Sequence, residues 1–88
     1  MQITDVRIRR IFTEGPMKAI ASVTFDRELA LHDVKIIQDS TERIFVRMPC
    51  RKTIEGGFQD IIHPINAAFR ERLEEAVLAA YRKAVDIQ

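Results

Sequence analysis

Polar and apolar positions alternate along the first two thirds of the chain. Between Ile3 and Phe12, Thr4, Val6 and Ile8 share one side while Asp5, Arg7 and Arg9 share the other. That is the period of a half-buried strand with a charged outer face. Glu14-Gly15-Pro16 is a turn signal, and Pro16 has no N–H to give a ladder. From Met17 to Phe25 the alternation resumes, with Ala19, Ala21, Val23 and Phe25 on one face and Lys18, Ser22 and Thr24 on the other. Two such runs around a Gly-Pro turn predict a β-hairpin. A third run, Leu29 to Ile37, changes parity midway: Leu29 and Leu31 share one phase, Val34 and Ile36 the other. A bulge near His32-Asp33 reconciles them. After a polar loop at Gln38 to Glu42, Ile44, Val46 and Met48 give a fourth strand stopped by Pro49. Arg51 to Gly57 reads as a polar loop with flexible glycines, and Phe58 to Ile62 as a fifth strand.

The final third changes period. Phe69, Leu73, Ala76, Val77, Ala80, Tyr81, Ala84 and Val85 recur at spacings of three and four, the apolar stripe of an amphipathic helix. Pro64 precedes the pattern and Asn66 is a good N-cap residue. Arg82 and Lys83 are expected in the last turns, where positive charge suits the helix dipole. The expectation is a single α+β domain over residues 1–88: an antiparallel sheet of about five short strands with one long C-terminal helix packed on it.

Composition narrows the class further. The chain has 88 residues, 47% hydrophobic and 31% charged, with a net charge of +1. Such a chain folds, yet a domain this small buries only roughly 60% of its unfolded surface, which favours pairing with a second copy. With so little net charge, nucleic-acid binding needs a local patch rather than an overall field. Cys50 is the one cysteine, so no internal disulfide forms. Met1 to Asp5 lacks a basic stretch leading into an apolar run, and no apolar stretch approaches the ~18 residues of a membrane span. A cytoplasmic protein without a membrane partner is expected.

No catalytic constellation emerges. His32 and His63 are far apart and neither stands at metal-ligand spacing with Cys50. His32-Asp33 is a weak dipeptide motif that falls in a strand, where a bulge explains it. Cys50 is either a thiol activated by Arg51 and Lys52 or a small packed side chain. Gly56-Gly57 lacks the spacing of a phosphate-cradling loop. Glu71, Glu74 and Glu75 lie on the polar side of the helix. No enzyme, metal, cofactor or small-molecule substrate is expected.

Binding has more support. Arg7, Arg9 and Arg10 decorate the first strand, Lys18 the second, and Arg47, Arg51 and Lys52 gather around the fourth strand and its loop. Residues 1–57 carry ten basic against eight acidic side chains, and residues 58–88 four against five. These cations are either an ordinary solvated surface or a phosphate-contacting patch. Phe45 and Phe58 bracket the loop; core packing is their default role and base stacking the alternative.

Longer stretches carry a resemblance. Ile3-Thr4-Asp5-Val6-Arg7-Ile8-Arg9-Arg10, then Lys18-Ala19-Ile20-Ala21-Ser22-Val23-Thr24, is similar to the N-terminal hairpin of the SpoVG (stage V sporulation protein G) family. His32-Asp33-Val34-Lys35-Ile36-Ile37 resembles its third strand, and Ile44-Phe45-Val46-Arg47-Met48-Pro49-Cys50-Arg51-Lys52-Thr53 its Met-Pro strand end and basic loop. Asp60-Ile61-Ile62-His63-Pro64-Ile65-Asn66 resembles the family signature that leads into the helix. The resemblance implies a homodimeric regulator of septation and sporulation that binds DNA and also RNA. It places Arg51, Lys52 and Thr53 in the nucleic-acid loop and links part of the helix, with Arg70, Arg72, Arg82 and Lys83, to sequence preference. The strand arginines Arg47, Arg7 and Arg9 are expected, from their placement on the strands, to support that loop. Cys50 and Ile54 stand where the family commonly has Ser and Pro. The competing expectation is a protein-interaction module of cell division or regulation that makes no direct contact with nucleic acid.

Overall fold

The computed structural model describes residues 1–87. Four antiparallel strands, β1 (Ile3–Ile11), β2 (Met17–Phe25), β3 (Leu29–Gln38) and β4 (Ile44–Arg47), form a meander in the order β1-β2-β3-β4. β5 (Cys50–Lys52) and β6 (Phe58–Asp60) form a separate two-stranded hairpin, and the helix α1 (Ala67–Ile87) follows. The α+β architecture is the one expected, with a different division of strands. Arg51 and Lys52, expected in a loop by their polarity, join Cys50 in a strand that pairs with the fifth run instead. What closes this hairpin is turn chemistry. Thr53 N–H donates to the Gly57 carbonyl, Gly57 N–H to Thr53 Oγ1, and Gly56 adopts φ +90°, open to a residue without Cβ.

Bulges set which side chains enter the core. β1 has two irregularities against β2, at Thr4 and Arg9, so its core positions are Ile3, Val6, Ile8 and Ile11, opposite Phe25, Val23, Ala21 and Ala19. Thr4, expected to share a face with Val6, instead receives the Arg27 N–H and donates to the Thr24 carbonyl. The bulge expected in β3 is present: Ala21 pairs with Val34 and Val23 with Leu31, leaving His32 and Asp33 opposite Ser22. Asp33 takes φ +61°, a left-handed conformation that its short polar side chain tolerates. Asp26 and Arg27 (φ +52° and +58°) make the mirror-image turn joining β2 to β3, closed by Glu28 N–H on the Phe25 carbonyl.

The helix lies on one face of the sheet. Leu73 and Val77 are fully enclosed with Ala19, Ala21, Val23, Val34 and Ile36, and Phe69 sets its ring 5.9 Å from that of Phe25. Ala19 and Ala21 are small enough to let the helix close on the middle of the sheet. Asn66 acts as the N-cap, its Oδ1 accepting the Phe69 N–H at 2.7 Å. Two expectations about the helix end need correction. Val85, at the tail of the stripe, is exposed rather than part of the core. Arg82 and Lys83 lie before the last turn, since α1 continues to Ile87, and the dipole effect fades within one turn. The Cα radius of gyration, 13.3 Å, exceeds the about 12 Å of a compact chain this long. The β5–β6 arm carries fully exposed Ile54 at its tip.

Candidate functional site

The helix covers one face of the four-stranded sheet, and the opposite face is uncovered. Strand register assigns that face residue by residue. Arg10 pairs with Ile20, Ile20 with Lys35, and Lys35 with Arg47, a straight row across all four strands. Three of its four members are cations. At about 4.8 Å per strand, the row runs about 14 Å from β1 to β4. The adjacent row toward one edge is apolar, with Met17 against Ile37 and Ile37 against Phe45.

The row continues into the arm. The Arg47 guanidinium lies 5.4 Å from the centre of the Phe58 ring, and Phe58 pairs across the hairpin with Lys52. Lys52 thereby extends the line of cations beyond β4. Arg51, one residue back, points to the other side of the hairpin, where its Nη2 donates to Gln59 Oε1 at 3.5 Å. Arg51, Lys52, Thr53, Ile54, Glu55 and Gln59 line a hollow around the tip of the arm. Thr53 is half-buried, and its hydroxyl is engaged in closing the turn.

On the other side of the row, toward the β2–β3 turn, is a small polar cluster. Ser22 is only 6% exposed although it belongs to the uncovered face. Arg9 and His32 close over it: Arg9 Nε donates to Ser22 Oγ at 3.2 Å, and Ser22 Oγ lies 2.9 Å from His32 Nδ1. With Arg9 donating, the hydroxyl can give its own proton to a neutral His32, so the three groups satisfy one another. This accounts for His32 structurally and leaves the serine hydroxyl shielded from a substrate. Arg7, opposite Ser22 in the register, pairs with Asp5 at 2.9 Å, both side chains being exposed.

The expected site residues divide between two sides of the molecule. Arg7, Arg9 and Arg47 share the uncovered face, and Arg51, Lys52 and Thr53 belong to the arm beside it. Arg70 and Arg72 are on the helix. Arg70 Nη2 donates to the Pro64 carbonyl at 3.3 Å, and Arg72 stacks 5.0 Å from the Phe69 ring, next to an apolar groove of ≈ 330 Å³. One flat ligand surface cannot touch both sets. Lys35 and Arg10 were not singled out as partners of Arg47, because only the cross-strand register aligns them. The default core role of Phe45 and Phe58 does not hold: they are 37% and 64% exposed. Among the described residues no group of three or more His, Cys, Asp or Glu side chains is arranged to hold a metal, and no helix is long and apolar enough to cross a membrane.

The class defined by these features is a small α+β domain with a helix on one sheet face, an uncovered cation-bearing face opposite, and a projecting β-hairpin arm. The chain belongs to the SpoVG family, whose profile matches residues 1–83. It is 58% identical over 83 residues to the "Putative septation protein SpoVG" of Clostridium acetobutylicum, covering 94% of this chain and 86% of that protein. The protein of the same name from Alkaliphilus oremlandii is 53% identical over 88 residues, covering 100% and 94%. A third relative, "SpoVG 1" of Listeria monocytogenes, is 54% identical over 84 residues, with 96% and 81% covered.

Proposed function

We propose that this protein is a cytoplasmic, homodimeric nucleic-acid-binding regulator of septation and sporulation, acting by binding DNA, with RNA as a further ligand, rather than by catalysis. The observation that carries the reading is the row Arg10–Ile20–Lys35–Arg47, continued through Phe58 to Lys52. Cations spaced along one flat face concentrate a field that a net charge of +1 does not reveal. Release of counterions from phosphates supplies the affinity of such a surface. The name borne by the relatives supports septation as the process.

The dimer is supported by the apolar surface on the helix side. Phe25, Leu31, Met48 and Phe69 line the ≈ 330 Å³ groove, and Leu29, Ile62 and Ile65 stand exposed on its rim, Ile65 at 90%. A second copy buried there leaves the cationic face free, and two linked faces raise avidity without a more basic chain. The same groove favours the second reading, a module that docks a regulatory protein.

The test is fluorescence anisotropy with duplex DNA and single-stranded RNA over a salt series, alongside light scattering for oligomeric state. The wild type should bind with a clear salt slope, and Arg51→Ala/Lys52→Ala should bind more weakly and with a shallower slope while remaining folded and dimeric. Absence of binding to either ligand at low salt refutes the nucleic-acid reading and leaves protein docking.

A further inference from the structure

The cationic row has an aromatic ring at each end. The Arg10 guanidinium sits 5.1 Å from the centre of the Phe12 ring, as Arg47 sits 5.4 Å from that of Phe58. Phe45 stands on the same face as Arg47, two residues back along β4 and 37% exposed, while Phe58 is 64% exposed. Burying such a ring is worth about 1.5–3 kcal/mol, and this fold buries Phe25. Phe45 and Phe58 forgo that gain on a face that also carries cations. Exposed rings beside guanidinium planes and ammonium groups match the chemistry of unpaired nucleotides, whose bases offer π-faces and whose backbone offers phosphates.

Duplex DNA fits this face poorly. Its bases are stacked on one another, and only their edges are reached through the grooves. The major groove is about 12 Å wide and admits a helix or a two-stranded ribbon. The four-stranded face measures about 14 Å between its outer strand axes alone. The β5–β6 arm is narrow enough to enter such a groove, and duplex binding through the arm is the competing outcome.

We infer that the uncovered face of the sheet is a platform for single-stranded nucleic acid, on which Phe58 and Phe45 stack bases while Arg47 and Lys35 hold the intervening phosphates. This rests on the phosphate-binding reading above and narrows its ligand to unpaired strands. The shared chemistry is that of single-stranded DNA and RNA, and separate oligonucleotides distinguish the two.

The experiment measures anisotropy of labelled single-stranded DNA, single-stranded RNA and a duplex of equal length. Wild type should bind at least one single strand more tightly than the duplex. Loss of one stacked base costs about 1–3 kcal/mol, so Phe58→Leu should weaken single-strand binding about 5- to 150-fold. Duplex affinity and the salt slope should stay unchanged, because no charge is removed. The protein contains no tryptophan, so Phe58→Trp adds one indole at the proposed stack. Its fluorescence should be quenched by single strands, with affinity equal to or above wild type. Duplex binding as tight as single-strand binding overturns the assignment, as does unchanged single-strand affinity in Phe58→Leu or an unquenched indole. If the wild type binds no nucleic acid at low salt, the phosphate-binding reading falls and this inference with it. Binding that ignores position 58 overturns the stacking assignment alone.

Discussion

Lys35→Gln probes the middle of the cationic row, because Lys35 joins Ile20 on one side to Arg47 on the other. Glutamine keeps the first two methylenes of the stem and removes the charge, so the variant chiefly tests the charge at this half-buried position. Arg10, Lys35, Arg47 and Lys52 each have room for one phosphate. Each contact to a single strand contributes about −0.7 to the slope of log K against log salt, which gives about −2.8 for four. A rise from about 50 to about 200 mM salt then weakens wild-type binding about 50-fold. Without Lys35 the slope should fall to about −2.1, and affinity near 0.1 M salt should drop about 5-fold, the gap closing as salt approaches about 1 M. Anisotropy titrations of one oligonucleotide at five or six salt concentrations measure both quantities, with thermal unfolding as the control for stability. An unchanged slope in the variant means Lys35 touches no phosphate, and the row is then not a backbone track. A wild-type slope near zero refutes the electrostatic reading of the whole face.

Three further outcomes concern the fold that presents this face. Asn66→Ala removes the N-cap bond to the Phe69 N–H and should cost about 1 kcal/mol, lowering Tm by roughly 4–8 °C in a domain of this size; an unchanged Tm means the cap is dispensable. Leu73→Ala empties a fully enclosed position under the helix and should cost about 2–5 kcal/mol in denaturant unfolding; a loss below about 1 kcal/mol would mean the helix repacks freely. Asp39 organises the β3–β4 loop. The Thr41 hydroxyl, at 2.6 Å, holds its carboxyl below the ordinary value, assisted by the Arg43 and Thr41 amides. With the folded value lowered, the carboxylate's contribution is present above about pH 4 and is lost as pH falls through the lower folded value. Asp39→Ala should therefore speed hydrogen exchange at the Thr41 and Arg43 amides near neutral pH, and equal exchange in variant and wild type would refute the assigned role.

Features governed by near neighbours were legible in the chain. The parity change between Leu31 and Val34 announced the bulge at His32-Asp33, because side chains alternate strictly unless a residue is added. Asn66 ahead of the stripe through Leu73 and Val77 announced the capped helix and the face it buries. The short β5 was not legible, since its three residues carry no alternation long enough to detect and its turn depends on Thr53 and Gly56 acting together. The bulges at Thr4 and Arg9 were equally hidden, as either parity of β1 places isoleucine or valine inward somewhere.

The chain by itself determined its family, its α+β class, its helix and its main hairpins, because periodicity, caps and turns are local properties. It also named most of the cations. Only the tertiary structure decided which of them stand together. Register places Arg10 and Lys35 in line with Arg47, residues separated by up to 37 positions in the chain. The single helix can cover one face of the sheet, and its placement over Ala19 and Ala21 leaves the opposite face bare. The same placement sends Arg70 and Arg72 to the far side and keeps Phe45 and Phe58 out of the core. Burial and cross-strand pairing are set by what packs against a residue, and no run of neighbours along the chain encodes that.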